Sequence, residues 1–174
     1  MRVTTTRFGE LEIEEDKAIA MPEGMAGFSE RRFIILNPGT GGPFCWFQAT
    51  DNPDLAFVVV DPSQFVPGYR VKLTREESDT LLLEEGDEIV ILTVATMAPD
   101  PRQITVNLQG PIVVNPIRMT ALQVVMEGDH ATRHPLFAPR KPVVAEKFQN
   151  AQPPLAVSRV SSLYNGMGLA PACP

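Results

Sequence analysis

The sequence predicts an all-β fold: a small closed or partly open β-barrel-like domain with one short helix, at about residues 74–84. Short apolar runs follow one another with Gly, Pro or Asn between them, as strands and their turns do. Several runs alternate apolar and polar residues with the period of two that is typical of a half-buried strand. A helical pattern occurs only once. A sandwich or a closed barrel would protect the edges of so many short strands.

The N-terminal half supplies most of the predicted strands. The run VTTTRF ends at Gly9, LEIEE alternates Leu11 and Ile13 with glutamates, and KAIAM stops at Pro22. The run RRFIILN leads into the turn PGTGGP. The runs FCWFQAT and LAFVVVD flank DNPD, a turn that contains Pro53, and both are rich in aromatic or β-branched residues. These two runs therefore predict a hairpin in the core.

The predicted helix begins with a capping-box pattern. Thr74 is followed three residues later by Glu77, so each side chain can bond to the other residue's backbone N–H group. Acidic residues follow in the first turn, where the helix dipole favours them. We expect the helix to end before Gly86 and, because it is short, to depend on packing against the rest of the fold.

The stretch DPRQITVNLQGPIVVN, residues 100–115, predicts a half-buried strand with an unusual polar side. Ile104, Val106 and Leu108 fall on one face, opposite Thr105, Asn107 and Gln109. Asparagine is depleted in strands, so the presence of Asn107 and Asn115 in this predicted strand needs a physical explanation. For Asn115, which precedes a proline, we favour a hydrogen-bonded seam of the barrel. For Asn107 a seam and a partner surface both remain open.

The composition changes after Phe137. Residues 138–174 are rich in Pro, Ala, Ser and Gly and show no sustained period. We therefore predict a β-barrel domain over residues 1–137 and a flexible C-terminal tail over residues 138–174, with one apolar segment around Leu163 and Tyr164. The alternative is a tail that lies on the barrel as an ordered strap.

Charge is distributed unevenly along the chain, whose net charge is −6. Residues 138–174 contain four basic residues and one glutamate, a net charge of +3, so residues 1–137 carry −9. An acidic body repels phosphate backbones and disfavours direct binding of nucleic acid. The same field would speed the encounter with a basic protein, or it serves only to keep the chain in solution.

Targeting and redox signals agree with a cytoplasmic protein. The first residues, MRVTTTRFGELEIEED, contain no apolar stretch of the kind found in secretory signals. We find no apolar run long enough to span a bilayer. Cys45 and Cys173 lie far apart, so a disulfide framework is not expected.

Signatures of catalysis are missing. The chain has no glycine-rich phosphate loop, no dinucleotide fingerprint, no G-x-S-x-G elbow and no C-x-x-C pair. His130 and His134 have the spacing of two metal ligands on a helix, but Gly128 and Pro135 disfavour a helix there. Paired carboxylates could serve a glycosidase, yet the acidic clusters lie at predicted turns. We therefore expect no catalytic residue, metal, cofactor or small-molecule substrate.

Six residues are candidates for binding a protein partner. The stretch FVPGYR places Phe65 and Tyr69 on a loop, where aromatic side chains either anchor partners or fold back into the core. Asp61 is a turn residue at a strand exit, and Arg133 and His134 belong to a polar loop at the barrel rim. The candidates are Asp61, Phe65, Tyr69, Asn107, Arg133 and His134.

Five stretches occur in an order that resembles the FliW family of flagellar assembly factors. They are FGELEIEED, MPEGMAGF, FCWFQATDNPDLAFVVVDP, TVNLQGPIVVN and RHPLF, and the resemblance runs from about residue 1 to residue 137. The resemblance implies a non-enzymatic β-barrel protein that binds flagellin. It also implies binding to CsrA, a small basic dimeric RNA-binding regulator that represses flagellin translation.

Within that resemblance, the free protein would antagonise CsrA allosterically, and accumulated flagellin would capture it and restore repression. Two alternatives stay open. One is a chaperone-like factor that binds flagellin without controlling CsrA, and the other is a hydrolytic barrel that uses paired carboxylates. A barrel that binds RNA directly conflicts with the acidic body.

Overall fold

The computed structural model describes residues 1–39 and 41–137 of the chain. These residues form eleven strands, one α-helix and three short 3₁₀ turns. The predicted tail, residues 138–174, lies outside the described residues. The elements in chain order are β1 Arg2–Thr5, β2 Gly9–Glu12, β3 Ile19–Ala20, β4 Arg32–Leu36, β5 Phe44–Ala49, β6 Ala56–Val60, α1 Arg75–Thr80, β7 Val90–Thr96, β8 Thr105–Val106, β9 Ile112–Asn115, β10 Thr120–Gln123 and β11 His134–Pro135.

Seven strands close into a barrel in the order β3, β4, β5, β6, β7, β9 and β10. Neighbouring strands are antiparallel except where the barrel closes, because β10 runs parallel to β3 with Thr120 opposite Ala20. The predicted hairpin of β5 and β6 is present, with Phe47 opposite Phe57. The prediction of an all-β, barrel-like domain is confirmed, and the barrel is closed.

The barrel interior is filled by the inward-facing residues of each strand. Phe33 and Phe47 are fully buried and stack with ring centroids 4.5 Å apart. Since alternate residues of a strand face opposite sides, Ile34 points outward between two inward-facing neighbours. Each large apolar side chain that becomes buried contributes about 1.5–3 kcal/mol, so this interior is the main source of stability.

A second apolar layer covers the outer face of β7, β9 and β10. It combines outward-facing residues of these strands, such as Ile91, Val113 and Leu122, with residues of the segments 65–89, 95–108 and 124–136. Leu81 at the end of α1 and Val106 of β8 are among its most buried members. The six residues predicted to bind a partner lie in and around this layer.

The N-terminal hairpin of β1 and β2 forms a third apolar cluster on the outside of β4 and β5. Val3 packs there with Ile34 and Leu36, next to the partly buried ring of Trp46. The ring of Phe8 meets Trp46 edge-on at 5.9 Å. The hairpin thus covers apolar residues that alternation places on the outside of the barrel.

The helix begins as predicted and ends earlier. The Thr74 hydroxyl accepts from the Glu77 N–H group at 3.2 Å, and the Glu77 carboxylate accepts from the Thr74 N–H group at 2.7 Å. The predicted end near residue 84 is wrong, because the last helical residue is Thr80 and Leu82 is left-handed at φ +54°. The N–H groups of Leu82 and Leu83 close the end on carbonyls of the last turn.

The strand predicted over residues 100–115 is interrupted. Its alternation is correct, since Ile104, Val106 and Leu108 are buried and the residues between them are half-buried. Only Thr105–Val106 and Ile112–Asn115 are strands, and a turn separates them. The Asn107 side chain holds that turn, as described below.

Candidate partner-binding site

Three loops meet around the short strand β8, and we call this region the β8 rim: residues 61–73, 107–110 and 128–137. β8 pairs with the end of β7 on one side and with β11 on the other, so Val106 lies opposite both Ala95 and His134. The backbone N–H of Leu108 donates to Ala131 at 3.0 Å. All six predicted residues lie within the rim.

Asp61 has a structural position at the start of the rim. It is 6% exposed, and its carboxylate accepts a hydrogen bond of 2.8 Å from the Ser63 N–H group. The carbonyl of Pro62 in turn accepts from the N–H groups of Phe65 and Val66. Asp61 therefore shapes the loop that carries Phe65, as expected of a turn residue.

Phe65 is half-buried and packs against the end of the described chain. Its ring meets that of Phe137 edge-on at 5.7 Å, and Phe137 is 43% exposed. Aromatic pairs of this geometry add about 0.5–1.5 kcal/mol beyond the area that they bury. The pair leaves an aromatic edge at the surface of the rim.

Tyr69 folds back into the core, which is the second of its two predicted alternatives. Its side chain is buried, and its hydroxyl donates to the Leu108 carbonyl at 2.6 Å. Burial raises the pKa of Tyr69 to about 12 because the phenolate would lose its hydration. The His130 ring meets the Tyr69 ring edge-on at 5.9 Å. Tyr69 thus positions the 107–110 loop and presents no ring to a partner.

The Asn107 side chain forms hydrogen bonds within the barrel and also lines a groove. Its side-chain oxygen accepts from the N–H groups of Gln109 and Gly110, both at 3.1 Å, which forms the turn between β8 and β9. Its side-chain nitrogen has no hydrogen-bond partner among the described residues. Both alternatives for Asn107 are therefore consistent with its surroundings.

Arg133 and His134 lie at the outer edge of the rim. Arg133 is exposed, and His134 is half-buried in β11. Within residues 1–39 and 41–137, no group of three His, Cys, Asp or Glu side chains has the geometry of a metal site. Among the same residues, no helix is long and apolar enough to cross a membrane.

A polar groove of about 450 Å³ opens beside Asn107. A Cβ atom on Gly110 would lie 3.1 Å from the amide nitrogens of both Asn107 and Gln123, so glycine leaves room for these two side chains. The Gln123 side-chain oxygen accepts from the Ala26 N–H group at 2.8 Å and ties the opposite wall to β10. The lining includes Glu23, Gly24, Ala26, Asn107, Gln109 and Val125.

A neighbouring cavity of about 590 Å³ has mixed charge. Arg70, Lys72 and His130 line it together with Glu77 and Glu127. Since both signs are present, this cavity offers no strong preference for an anion or a cation. It does place Arg70 and Lys72 together within an otherwise acidic body.

Sequence reasoning missed three exposed apolar residues. Val125 is 75% exposed, Ile117 is 65% exposed and Leu82 is 54% exposed. The pair Val124–Val125 was the available signal for Val125, because consecutive apolar residues cannot both face inward in a regular strand. Single exposed apolar residues are common on protein surfaces, so these three do not by themselves mark a site.

Comparison with known proteins decides the family. The family model described as FliW protein matches residues 2–136. The chain belongs to the FliW family. It is 62% identical over 138 residues to the flagellar assembly factor FliW of Geotalea uraniireducens, a match that covers 79% of this chain and 85% of the relative. The flagellar assembly factor FliW of Geobacter sulfurreducens is 58% identical, with 79% and 87% covered.

A solved structure supports the fold of this FliW-family chain. The crystal structure of a flagellar assembly factor FliW superposes with a TM-score of 0.74 at 29% identity, covering 81% of this chain and 100% of that chain. The family resemblance read from the sequence motifs is confirmed. The family match spans the closed barrel and the β8 rim up to residue 136, so this FliW-family chain is a flagellar assembly factor.

Proposed function

We propose that this chain binds flagellin and, when free of flagellin, binds CsrA and relieves the repression of flagellin synthesis. Binding of the two partners would be mutually exclusive, through a shared surface or through coupled states. The protein would act in the cytoplasm, without catalysis and without a cofactor. The observation that carries this proposal is the family match across residues 2–136.

Charge supports a basic partner. Residues 1–137 carry a net charge of −9, and their acidic residues include the hairpin end around Glu12 and the loop of residues 84–88. When two proteins carry opposite charge, their electrostatic attraction raises the rate of association more than the final affinity. A basic regulator would therefore approach this barrel quickly at low salt.

The residues of the β8 rim are suited to contact a folded protein partner. The rim combines the aromatic edge of Phe65 and Phe137 with the exposed cation of Arg133, and such residues are enriched in protein interfaces. We propose Phe65, Asn107, Arg133 and His134 as contact residues. Asp61 and Tyr69 are buried, so their proposed role is to position the loops that carry these contacts.

The test is calorimetry with flagellin and CsrA from the same organism, added separately and together. Tight binding of each, with flagellin displacing CsrA, is the expected result. Binding of flagellin alone would leave a chaperone-like factor without CsrA control. Binding of neither would overturn the proposal.

The rim is tested with Phe65→Ala and Arg133→Ala. Each is expected to weaken at least one partner by more than about 1 kcal/mol, or roughly fivefold in Kd. Phe28→Ala is the matched control, because Phe28 is another loop phenylalanine in an edge-on pair, with Phe57, and neither residue belongs to the rim. Equal affinities for all three variants would remove the rim as the contact surface.

A further inference from the structure

Three segments of the chain meet the barrel at the same end, and we call them the acidic end: residues 14–18, 82–88 and 116–119. The first leads into β3, the second leads into β7, and the third connects β9 to β10. Thr120 lies opposite Ala20 on one side and opposite Asn115 on the other. Val90 lies opposite Val114, next to Asn115. The strand ends that carry the three segments are therefore neighbours in the barrel.

The acidic end has a strong excess of negative charge. It contains seven acidic and two basic residues, a net charge of −5. Both cations pair with acids of the same end, Lys17 with Asp16 and Arg118 with Glu84. The exposed acids of this end that form no ion pair with another described residue are Glu14, Glu15, Glu85 and Glu88. A partner with the opposite charge would be attracted to this end.

The β8 rim has a different balance of charge. Its three basic and two acidic residues give a net charge of +1 with both histidines neutral. One of the acids, Asp61, is buried, whereas the basic residues Arg70, Lys72 and Arg133 are exposed. Like charges that face each other across an interface disfavour binding. A basic partner is therefore better suited to the acidic end than to the rim.

Two exposed apolar residues lie side by side within the acidic end. Leu82 and Ile117 each have more than half of their surface exposed. The Asn115 side chain bonds to both backbones, since it donates to the Leu82 carbonyl and accepts from the Ile117 N–H group. The ion pair of Glu84 and Arg118 belongs to the same two segments. An apolar centre with charged residues around it is the usual anatomy of a protein interface.

The backbone at Leu82 indicates that its side chain has a role outside folding. Its φ of +54° is left-handed, a conformation that is costly for leucine and easy for glycine. More than half of the side chain is exposed, so packing within the chain offsets little of that cost. Residues held in an unfavourable conformation cluster at functional sites. Contact with a partner would explain a leucine at this position.

We propose that the acidic end docks a basic protein surface, with Leu82 and Ile117 as its apolar contacts and Glu85 and Glu88 as its charged contacts. This inference rests on the proposed function, in which CsrA is the basic partner. It assigns the two partners to different surfaces, CsrA to the acidic end and flagellin to the β8 rim. Because the two surfaces share no residue, one partner would exclude the other through coupled states of the protein.

The apolar contacts are tested by surface plasmon resonance with CsrA and flagellin from the same organism as probes. Leu82→Gly and Ile117→Ser should each raise the Kd for CsrA at least about fivefold, mainly through faster dissociation. Their affinity for flagellin should not change. Glycine suits the left-handed backbone at residue 82, so weaker binding by Leu82→Gly would not result from unfolding. Val125→Ser is the matched control, because it removes an exposed apolar side chain outside the acidic end.

The charged contacts are tested with the double variant Glu85→Gln and Glu88→Gln. It should slow the association of CsrA at least about fivefold at low salt, and the difference from wild type should shrink as salt is added. The matched control is Glu127→Gln with Asp129→Asn, which removes two exposed negative charges outside the acidic end. Association of CsrA with this control should be close to that of the wild-type chain.

The outcomes separate this inference from the proposed function. A wild-type chain that binds flagellin but not CsrA would overturn both the control of CsrA and the inference that depends on it. Binding of CsrA that is unchanged in the acidic-end variants, or that weakens equally in the controls, would overturn this inference alone. Variants that lose affinity for flagellin as well would contradict the assignment of the two partners to different surfaces.

Discussion

The side-chain nitrogen of Asn115 donates a hydrogen bond of 3.2 Å to the carbonyl of Leu82, 33 residues earlier in the chain. The same nitrogen donates to the Leu81 carbonyl at 3.0 Å, and the side-chain oxygen accepts from the N–H groups of Ile117 and Arg118. One fully buried side chain thus joins the end of α1 to the turn between β9 and β10. The seam predicted for Asn115 is confirmed.

Replacing Asn115 with alanine should be among the most destabilising single changes outside the apolar core. The four hydrogen bonds of Asn115 would be lost, and buried backbone groups would remain unpaired. We expect the free energy of unfolding to fall by about 2–4 kcal/mol. Urea denaturation followed by circular dichroism measures it. Asn37→Ala is the control, because Asn37 accepts one bond, from Gly39, at an exposed turn. A loss no larger than in that control would contradict the seam.

Leu82→Gly should stabilise the protein slightly. A leucine in the left-handed region costs about 1–2 kcal/mol, and glycine is the usual residue at this position after a helix. Glycine also loses more entropy on folding, and some apolar contact is lost, so we expect a net gain of about 0.5–1 kcal/mol. Leu83→Gly is the matched control and should destabilise, because Leu83 packs on the outer apolar layer. Thermal denaturation of both variants distinguishes the two outcomes.

Local patterns in the sequence predicted which residues form strands, but not how the strands close. Alternation correctly placed Ile104, Val106 and Leu108 on the buried side. Closure depends on a single parallel pair, Thr120 opposite Ala20, between strands that are about 100 residues apart. No local pattern encodes such a pair, because its partners meet only after the rest of the barrel has formed.

In the helix and the candidate site too, features set by neighbouring residues were predictable and features set by distant contacts were not. The Thr74–Glu77 capping box lies within four residues and was predictable, whereas the end at Leu82 depends on the distant Asn115. The six candidates all belong to the β8 rim as defined above, and their contact with a partner stays a prediction. The orientation of Tyr69 was not predictable, because it is decided by a hydrogen bond to Leu108, 39 residues away.

Tyr69→Phe should lower stability without unfolding the barrel. The ring would keep its place in the apolar layer, but the buried Leu108 carbonyl would lose the hydroxyl that donates to it at 2.6 Å. We expect a loss of about 1–2 kcal/mol in the free energy of unfolding. Chemical denaturation measures this loss. A neutral effect would show that solvent replaces the hydroxyl.

Stability should fall between pH 10 and pH 12 because of the same side chain. The pKa of Tyr69 is raised from 10.0 to about 12, so in this window the unfolded chain releases the proton while the folded chain keeps it. The free energy of unfolding should then fall by up to about 1.4 kcal/mol per pH unit, and this contribution is constant below pH 10.

The comparison with Tyr69→Phe isolates this contribution, because all other titrating groups are shared. The difference in stability between wild type and variant should shrink as the pH rises through the window. A tyrosinate absorbance titration of the Tyr164→Phe variant gives a direct check, since Tyr69 is then the remaining tyrosine. An ordinary pKa near 10 in that titration would contradict the burial of the hydroxyl.

Phe8→Ala should loosen the N-terminal hairpin and change the emission of the single tryptophan, Trp46. The Phe8 ring covers Trp46 edge-on, and the Arg7 guanidinium lies 4.8 Å from the centre of the indole ring. Loss of the phenyl ring should cost about 1–3 kcal/mol and admit water to the indole, which shifts its fluorescence to longer wavelength. Phe28→Ala removes a ring that packs on Phe57 instead, so it should lower stability without that shift. The same spectral change in both variants would mean that Trp46 reports loosening of the whole barrel. That result would contradict the conclusion that the hairpin shields the outer face of β4 and β5 from water.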